Sequence, residues 1–308
     1  MQARRKTKVD LWKRLKVDWQ LYVLILPVAI YFFVFNYLPL YGIQIAFRDY
    51  KAVSGITGSK WVGMAQFTKF FSSYYCGRLF ANTFLLNFYN LLIGFPVPLL
   101  LSLLINQMEL PRFKKFSQTI IYVPYFISTV VLAGMLYIFF SPSSGIVNKL
   151  IVATGGESIY FINDPRWFRT LFIGSNIWQS AGWNTILYIA ALTSIDTQIY
   201  EAATIDGATK LQKIRYIDIP SLLPTATMVL ILNSGSLLNS NTQKALLLQT
   251  PGNTSVSDIM GVYVYNIGLG QAQYSYTAAI GLCLNIINFV MILSVNMAAR
   301  KLGEVSLF

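Results

Sequence analysis

Six stretches of mostly apolar residues recur along the chain, at 20–46, 80–107, 116–141, 168–194, 220–242 and 275–299. Each is long enough for a helix to cross a hydrocarbon layer of about 30 Å, which takes about 20 residues. Polar residues gather between them. The pattern predicts an all-α, polytopic membrane protein with about six transmembrane helices in a single domain over 20–300. Pro27, Pro39, Pro96, Pro98, Pro124 and Pro224 fall inside these stretches and predict kinks. The central parts hold no Asp, Glu, Lys or Arg; their polar residues are uncharged, among them Asn87, Asn90, Asn176, Gln179, Asn184, Asn233, Asn285 and Asn288. Ion-coupled carriers usually place ionisable groups at such depth, and voltage sensors need arginines there. Transport through these spans would draw its energy from elsewhere.

The ends and connections set the orientation. Arg4, Arg5, Lys6, Lys8, Lys13, Arg14 and Lys16 precede the first span, and Leu11, Trp12, Leu15 and Trp19 recur at spacings of three and four. Residues 1–19 are therefore expected to form a basic amphipathic segment on the membrane surface. The apolar stretch after it is too long for a signal-peptide core and lacks a small-residue cleavage site. With the N-terminus inside, about 15 of the 24 Lys and Arg fall on short cytoplasmic segments. The others, including Arg48, Lys69, Arg78, Arg169 and Lys244, spread over longer external loops. Both termini are expected to be cytoplasmic, with 301–308 as a tail.

The connection at 195–219 carries a second kind of signal. From Glu201 to Pro220 it reads EAATIDGATKLQKIRYIDIP. Glu201-Ala202-Ala203 favours helix, and Gly207 permits a bend other residues resist. The residues alone suggest two short helices around a turn, or an amphipathic loop lying on the membrane. Their order resembles the EAA loop of permeases of binding-protein-dependent ABC importers, matched here by Glu201, Ala202, Ala203, Asp206, Gly207, Ala208, Ile217 and Pro220. Ile214 stands where that family commonly has an aromatic residue.

The resemblance extends along most of the chain. Trp61-Val62-Gly63, Asn82-Thr83 and Gly94 to Leu99 look like the carbohydrate-uptake permeases, LplB-like polysaccharide permeases in particular, as do Asp258 to Leu269 and Ser306-Leu307-Phe308. Leu238 to Lys244 departs from their usual pattern. The resemblance implies a type I ABC importer permease fold in a bacterial cell membrane, forming half of a path for a sugar or oligosaccharide. It implies that Glu201, Ala202, Ala203, Asp206, Gly207 and Ala208 seat the loop in an ATP-binding subunit dimer. Further implied partners are a second permease subunit and an extracellular solute-binding lipoprotein. Candidate path residues are Asn176, Gln179, Trp183 and Asn184, then Asn233, Ser234 and Ser236, then Asn285 and Asn288. An importer of peptides or amino acids, and a stand-alone secondary carrier, are the alternatives.

Composition narrows the chemistry. Hydrophobic residues are 55% and charged residues 12%, against about 25% charged in soluble domains. The net charge of +12 is scattered between spans, which argues against nucleic-acid binding. There is no histidine, and Cys76 and Cys283 stand far apart, so neither a catalytic triad nor a usual metal site is expected. No Gly-x-x-x-x-Gly-Lys-[Ser/Thr] phosphate loop occurs. The chain is expected to bind no cofactor and catalyse nothing, with ATP and Mg held by the partner ATPase.

Overall fold

The computed structural model describes residues 18–301; most of the basic N-terminal run and the C-terminal tail lie outside the described residues. Helix α1 (Trp19–Phe47) is apolar on every side, and none of its apolar window is buried within the chain, the pattern of a helix solvated by lipid. Its last turns, with Ala46 fully buried, pack on α12 (Tyr274–Lys301). A short hairpin, β1 (Arg48–Asp49) with β2 (Lys60–Trp61), follows. The Trp61 ring lies flat on Phe47 at 5.6 Å, and Gly63 takes a φ of +58°, a left-handed turn that glycine adopts without strain.

Helix α2 (Ala65–Phe71) leads into α3 (Tyr75–Asn106), whose joint falls at Phe95. Pro96 opens the second half of α3, where a missing N–H costs least.

The third stretch expected as one span is instead two helices, α4 (Pro111–Phe126) and α5 (Thr129–Phe139), bent by 97°. Pro124 sits in a tight turn, Ile127 is extended, and Ser128 caps α5 by accepting from the Val131 N–H at 3.3 Å. Backbone freed inside a membrane protein needs internal partners. Here Gln179 Nε2 donates to the Ile127 carbonyl at 2.6 Å, and the Trp183 ring stacks on Tyr125 at 4.4 Å.

Both fasteners come from α7 (Pro165–Thr193), the 29-residue helix on which the bundle is built. It packs on both halves of α3, on α4 and on α9 (Lys210–Ser234), and it buries Phe168, Leu171, Phe172, Ala181, Gly182, Tyr188 and Leu192. Among the described residues four helices (α1, α3, α9, α12) are long and apolar enough to cross a membrane, or five if the bent pair is one span. The expected six thus includes α7, which is long enough to span but less apolar than those helices and falls outside that count. Its amides bond to neighbouring helices.

Between α5 and α7 lies α6 (Ile146–Ala153), and between α7 and α9 lies α8 (Thr197–Ile205). The fifth span was expected to begin at Pro220. Instead α9 is continuous from Lys210, with a π-helical turn at Ile214–Asp218, and ends at Ser234 rather than near 242. Short helices α10 (Thr242–Leu248) and α11 (Met260–Tyr265) complete a cap over one end of the bundle.

Buried amides hold that cap, because its irregular backbone must be paired. Asn82 donates to the carbonyls of Ser255 and Asp258 at 2.8 and 3.1 Å, and Thr83 Oγ1 accepts from the Met260 N–H at 2.9 Å. Asn148 and Asn253 bridge other cap segments in the same way. Lys244, expected in an external loop as a topology signal, has no exposed surface. Its ammonium donates to the Phe172 carbonyl at 2.9 Å and lies 4.8 Å from the Phe172 ring centre. Burial pushes its pKa down to about 7.

Candidate functional site: an amide-lined cavity and a fastened loop

Helical periodicity explains the cavity between α3, α7 and α9. Asn176, Ser180 and Asn184 are four apart and share one face of α7, while Asn87, Asn90 and Gly94 share one face of α3. The two faces meet: Asn176 Nδ2 donates to Asn90 Oδ1 at 3.0 Å. With Asn233 and Ser236 at the end of α9, and Asn239 just beyond, they line a cavity of about 170 Å³ whose lining, among the described residues, holds six asparagines and no charged residue. A second cavity of about 200 Å³ adjoins it, sharing Gly94, Phe95, Asn184 and Asn233, and extends along α7 to Tyr188. The buried Tyr188 hydroxyl has no hydrogen-bond partner among the described residues.

Of the sequence-derived path residues, the structure brings Asn176, Asn184, Asn233 and Ser236 together in this cavity. The others sit elsewhere. Gln179 and Trp183 fasten the α4–α5 bend. Ser234 is buried and donates to the Ile231 carbonyl one turn back at 2.6 Å. Asn288 is buried and accepts from the Leu238 N–H at 3.0 Å, holding the turn after α9. Asn285 is exposed on α12. Asn87, Asn90, Ser180 and Asn239 are cavity residues that the candidate set omitted. The i, i+4, i+8 spacing on α7 would have found Ser180, but Asn239 lies beyond any helix and follows from no periodicity.

At the opposite end of the bundle, α8 and the start of α9 form the motif-bearing loop. Asp196 caps α8 by accepting from the Gln198 N–H at 3.0 Å. Thr209 and Gln212 form a capping box at the start of α9, each side chain bonding the other's backbone. Gly207 turns the chain between them at φ +77°. Glu201, Ala202 and Asp206 are exposed, Ala203 and Ala208 half-buried. Ile205, Leu211 and Tyr216 are also exposed, at 87%, 74% and 69%, an apolar surface on a polar loop. Inward, Ile214 packs against the core of Leu103, Tyr188, Leu192 and Leu222.

Comparison with known proteins bears on both features. Residues 94–304 match the family described as the binding-protein-dependent transport system inner membrane component. The chain belongs to that family. It is 41% identical to the polygalacturonan/rhamnogalacturonan transport system permease protein YteP of Bacillus subtilis (strain 168), over 94% of this chain and 90% of that protein. It is 40% identical to Protein LplB of the same organism, over 96% and 92%. Among solved structures, a bacterial alginate ABC transporter in complex with an alginate pentasaccharide-bound periplasmic protein superposes with a TM-score of 0.88 at 37% identity, covering 96% of this chain and 99% of that one. This permease is thus a multi-pass membrane protein with the type I importer fold, and a transporter subunit.

Proposed function

We propose that this permease is one of two membrane subunits of an ATP-driven importer in the bacterial cell membrane that takes up oligosaccharides, those containing uronic acids included. The observation that carries this is the cavity lined by six asparagines and no charge. Each amide both donates and accepts, which suits a ligand dense in hydroxyls, and its N–H groups also bind a carboxylate without a buried cation. The relatives' substrates, polygalacturonan/rhamnogalacturonan and alginate, are polymers of this chemistry. An extracellular solute-binding lipoprotein delivers the sugar. ATP and Mg are held by an ATP-binding subunit dimer docked on Glu201 to Ala208 at the cytoplasmic end.

The four subunits with the binding protein, reconstituted in proteoliposomes with ATP, should accumulate labelled oligogalacturonides. Gly207→Pro should reduce that uptake to background while the binding protein's sugar affinity is unchanged. Proline holds φ near −65° and cannot adopt the +77° of this turn. Normal uptake by the variant would overturn the coupling role of the loop. Amino acids or peptides outcompeting the sugar would favour the other importer class.

A further inference from the structure

Asp218 is not among the eight residues that carry the family resemblance, yet it has no exposed surface. Three side chains from two elements converge on it. The Tyr200 hydroxyl of α8 donates to Oδ1. Gln107, just past the end of α3, donates its Nε2–H to Oδ2 at 2.8 Å. Asn106, the last residue of α3, lies 3.5 Å from Oδ1 and 3.4 Å from the Tyr200 oxygen. None of the salt bridges among the described residues includes Asp218, so its partners are neutral donors arranged around one carboxyl.

The local fold supplies the reason. In the π-helical turn Ile214–Asp218 the Ile219 N–H reaches back to the Ile214 carbonyl, a spacing of five residues. The wider turn shifts the register of α9 at this point, and such turns concentrate at functional sites. Two further ties flank the node. Lys210 Nζ lies 2.6 Å from Glu109 Oε1 on the surface, where the lysine holds the glutamate carboxyl below its usual range. Ile214 is packed into the core below. Burial, with the bond to Asp218, pushes the Tyr200 hydroxyl up to about 12, so it stays a donor at physiological pH.

We propose that Asp218 is a positioning residue that clamps the α8–α9 loop to the end of α3, so that displacement of the loop moves α3 and α9 as one rigid piece. This rests on the reading that the loop is driven by an ATPase. An exposed ion pair alone would yield under load, being solvent-screened. A buried carboxyl with three donors is directional and costly to break. Force applied to α8 therefore reaches α3 and α9, two of the three helices lining the cavity, rather than being absorbed by a flexible connection.

The test uses the complete importer in proteoliposomes and reads sugar transported per ATP hydrolysed. Gln107→Glu sets two carboxyls against each other and should lower that ratio roughly tenfold, the scale of one lost charge-assisted hydrogen bond, while the ATPase still co-purifies and hydrolyses ATP. Adding Asp218→Asn exchanges donor and acceptor across the pair and should restore the ratio to within about threefold of wild type. Tyr200→Phe removes one O–H without a change of shape and should lower the ratio even if Gln107→Glu fails to assemble. Wild-type ratios in both Gln107→Glu and Tyr200→Phe would overturn the clamp. Equal loss of uptake and hydrolysis, unrelieved by the exchange, would assign Asp218 to folding and overturn it too. A wild-type permease that never co-purifies with an ATPase would overturn the underlying reading, and the clamp with it.

Discussion

Lys244 illustrates how a side chain's chemistry depends on what folds over it. A lysine between apolar spans reads as a loop cation, and here it lies fully buried against Phe172 and among the residues that α10 packs on α7. Its pKa falls from 10.5 to about 7 because burial penalises the charged form. In the unfolded chain the amine keeps its proton up to about 10.5, so between about 7 and 10.5 the unfolded state binds more protons and folding stability rises with pH. Lys244→Met should therefore be more stable than wild type near pH 6, with the gap closing as pH climbs through that window. Thermal unfolding in detergent across the pH range measures it; a constant gap would contradict the assignment. The amides follow the same rule. Asn82, Asn148 and Asn253 tie backbone in the cap, whereas Asn184 and Asn233 line open space, and residue type alone does not separate the two uses.

At the scale of elements, close approach governs the crossing of α7 and α4. Gly182 lies so near the Ile121 carbonyl that an added Cβ would overlap that oxygen. Small residues at helix contacts allow such approach in membranes, where packing rather than water exclusion drives association. Gly182→Ala should thus force the helices apart and cost about 1–3 kcal/mol, read as a lowered unfolding midpoint. Gly207→Ala, by contrast, meets no atom of the described residues within 4 Å and suffers from its positive φ, about 1–2 kcal/mol. A loss at Gly207 equal to that at Gly182 would show that contact is not the deciding factor. The α4–α5 bend belongs to this scale too: Pro124 marks it in the sequence, but its 97° angle needs Gln179 and Trp183 from another helix.

Across the whole molecule, the uncharged cavity and the loop at 195–219 are the two features that the proposed importer would use. The α1 surface and the exposed Ile205, Leu211 and Tyr216 are apolar areas left open by this chain alone. Purified permease in liposomes, without ATPase, second permease or binding protein, should show no uptake under proton or sodium gradients, since no span centre offers an ionisable coupling group. Gradient-driven accumulation would contradict the importer reading.

How much of this was legible in the sequence follows from the range of the forces involved. Helix positions, the turn at Gly207 and the exclusion of charge from the spans depend on local conformational preference and on transfer to hydrocarbon, which act residue by residue. They are legible directly, to within the bend at Pro124 and the shifted ends of α9, and the order Glu-Ala-Ala to Pro resembles a family by itself. The grouping of Asn87, Asn90, Asn176, Asn184, Asn233 and Asn239 around one cavity, the burial of Lys244 and the junction of Tyr200, Asn106, Gln107 and Asp218 are contacts between residues up to about 150 positions apart. Apolar periodicity shows that a helix has a buried face but not which helix covers it. That choice, set by close packing and by the need to pair buried polar groups, was made only by the tertiary structure.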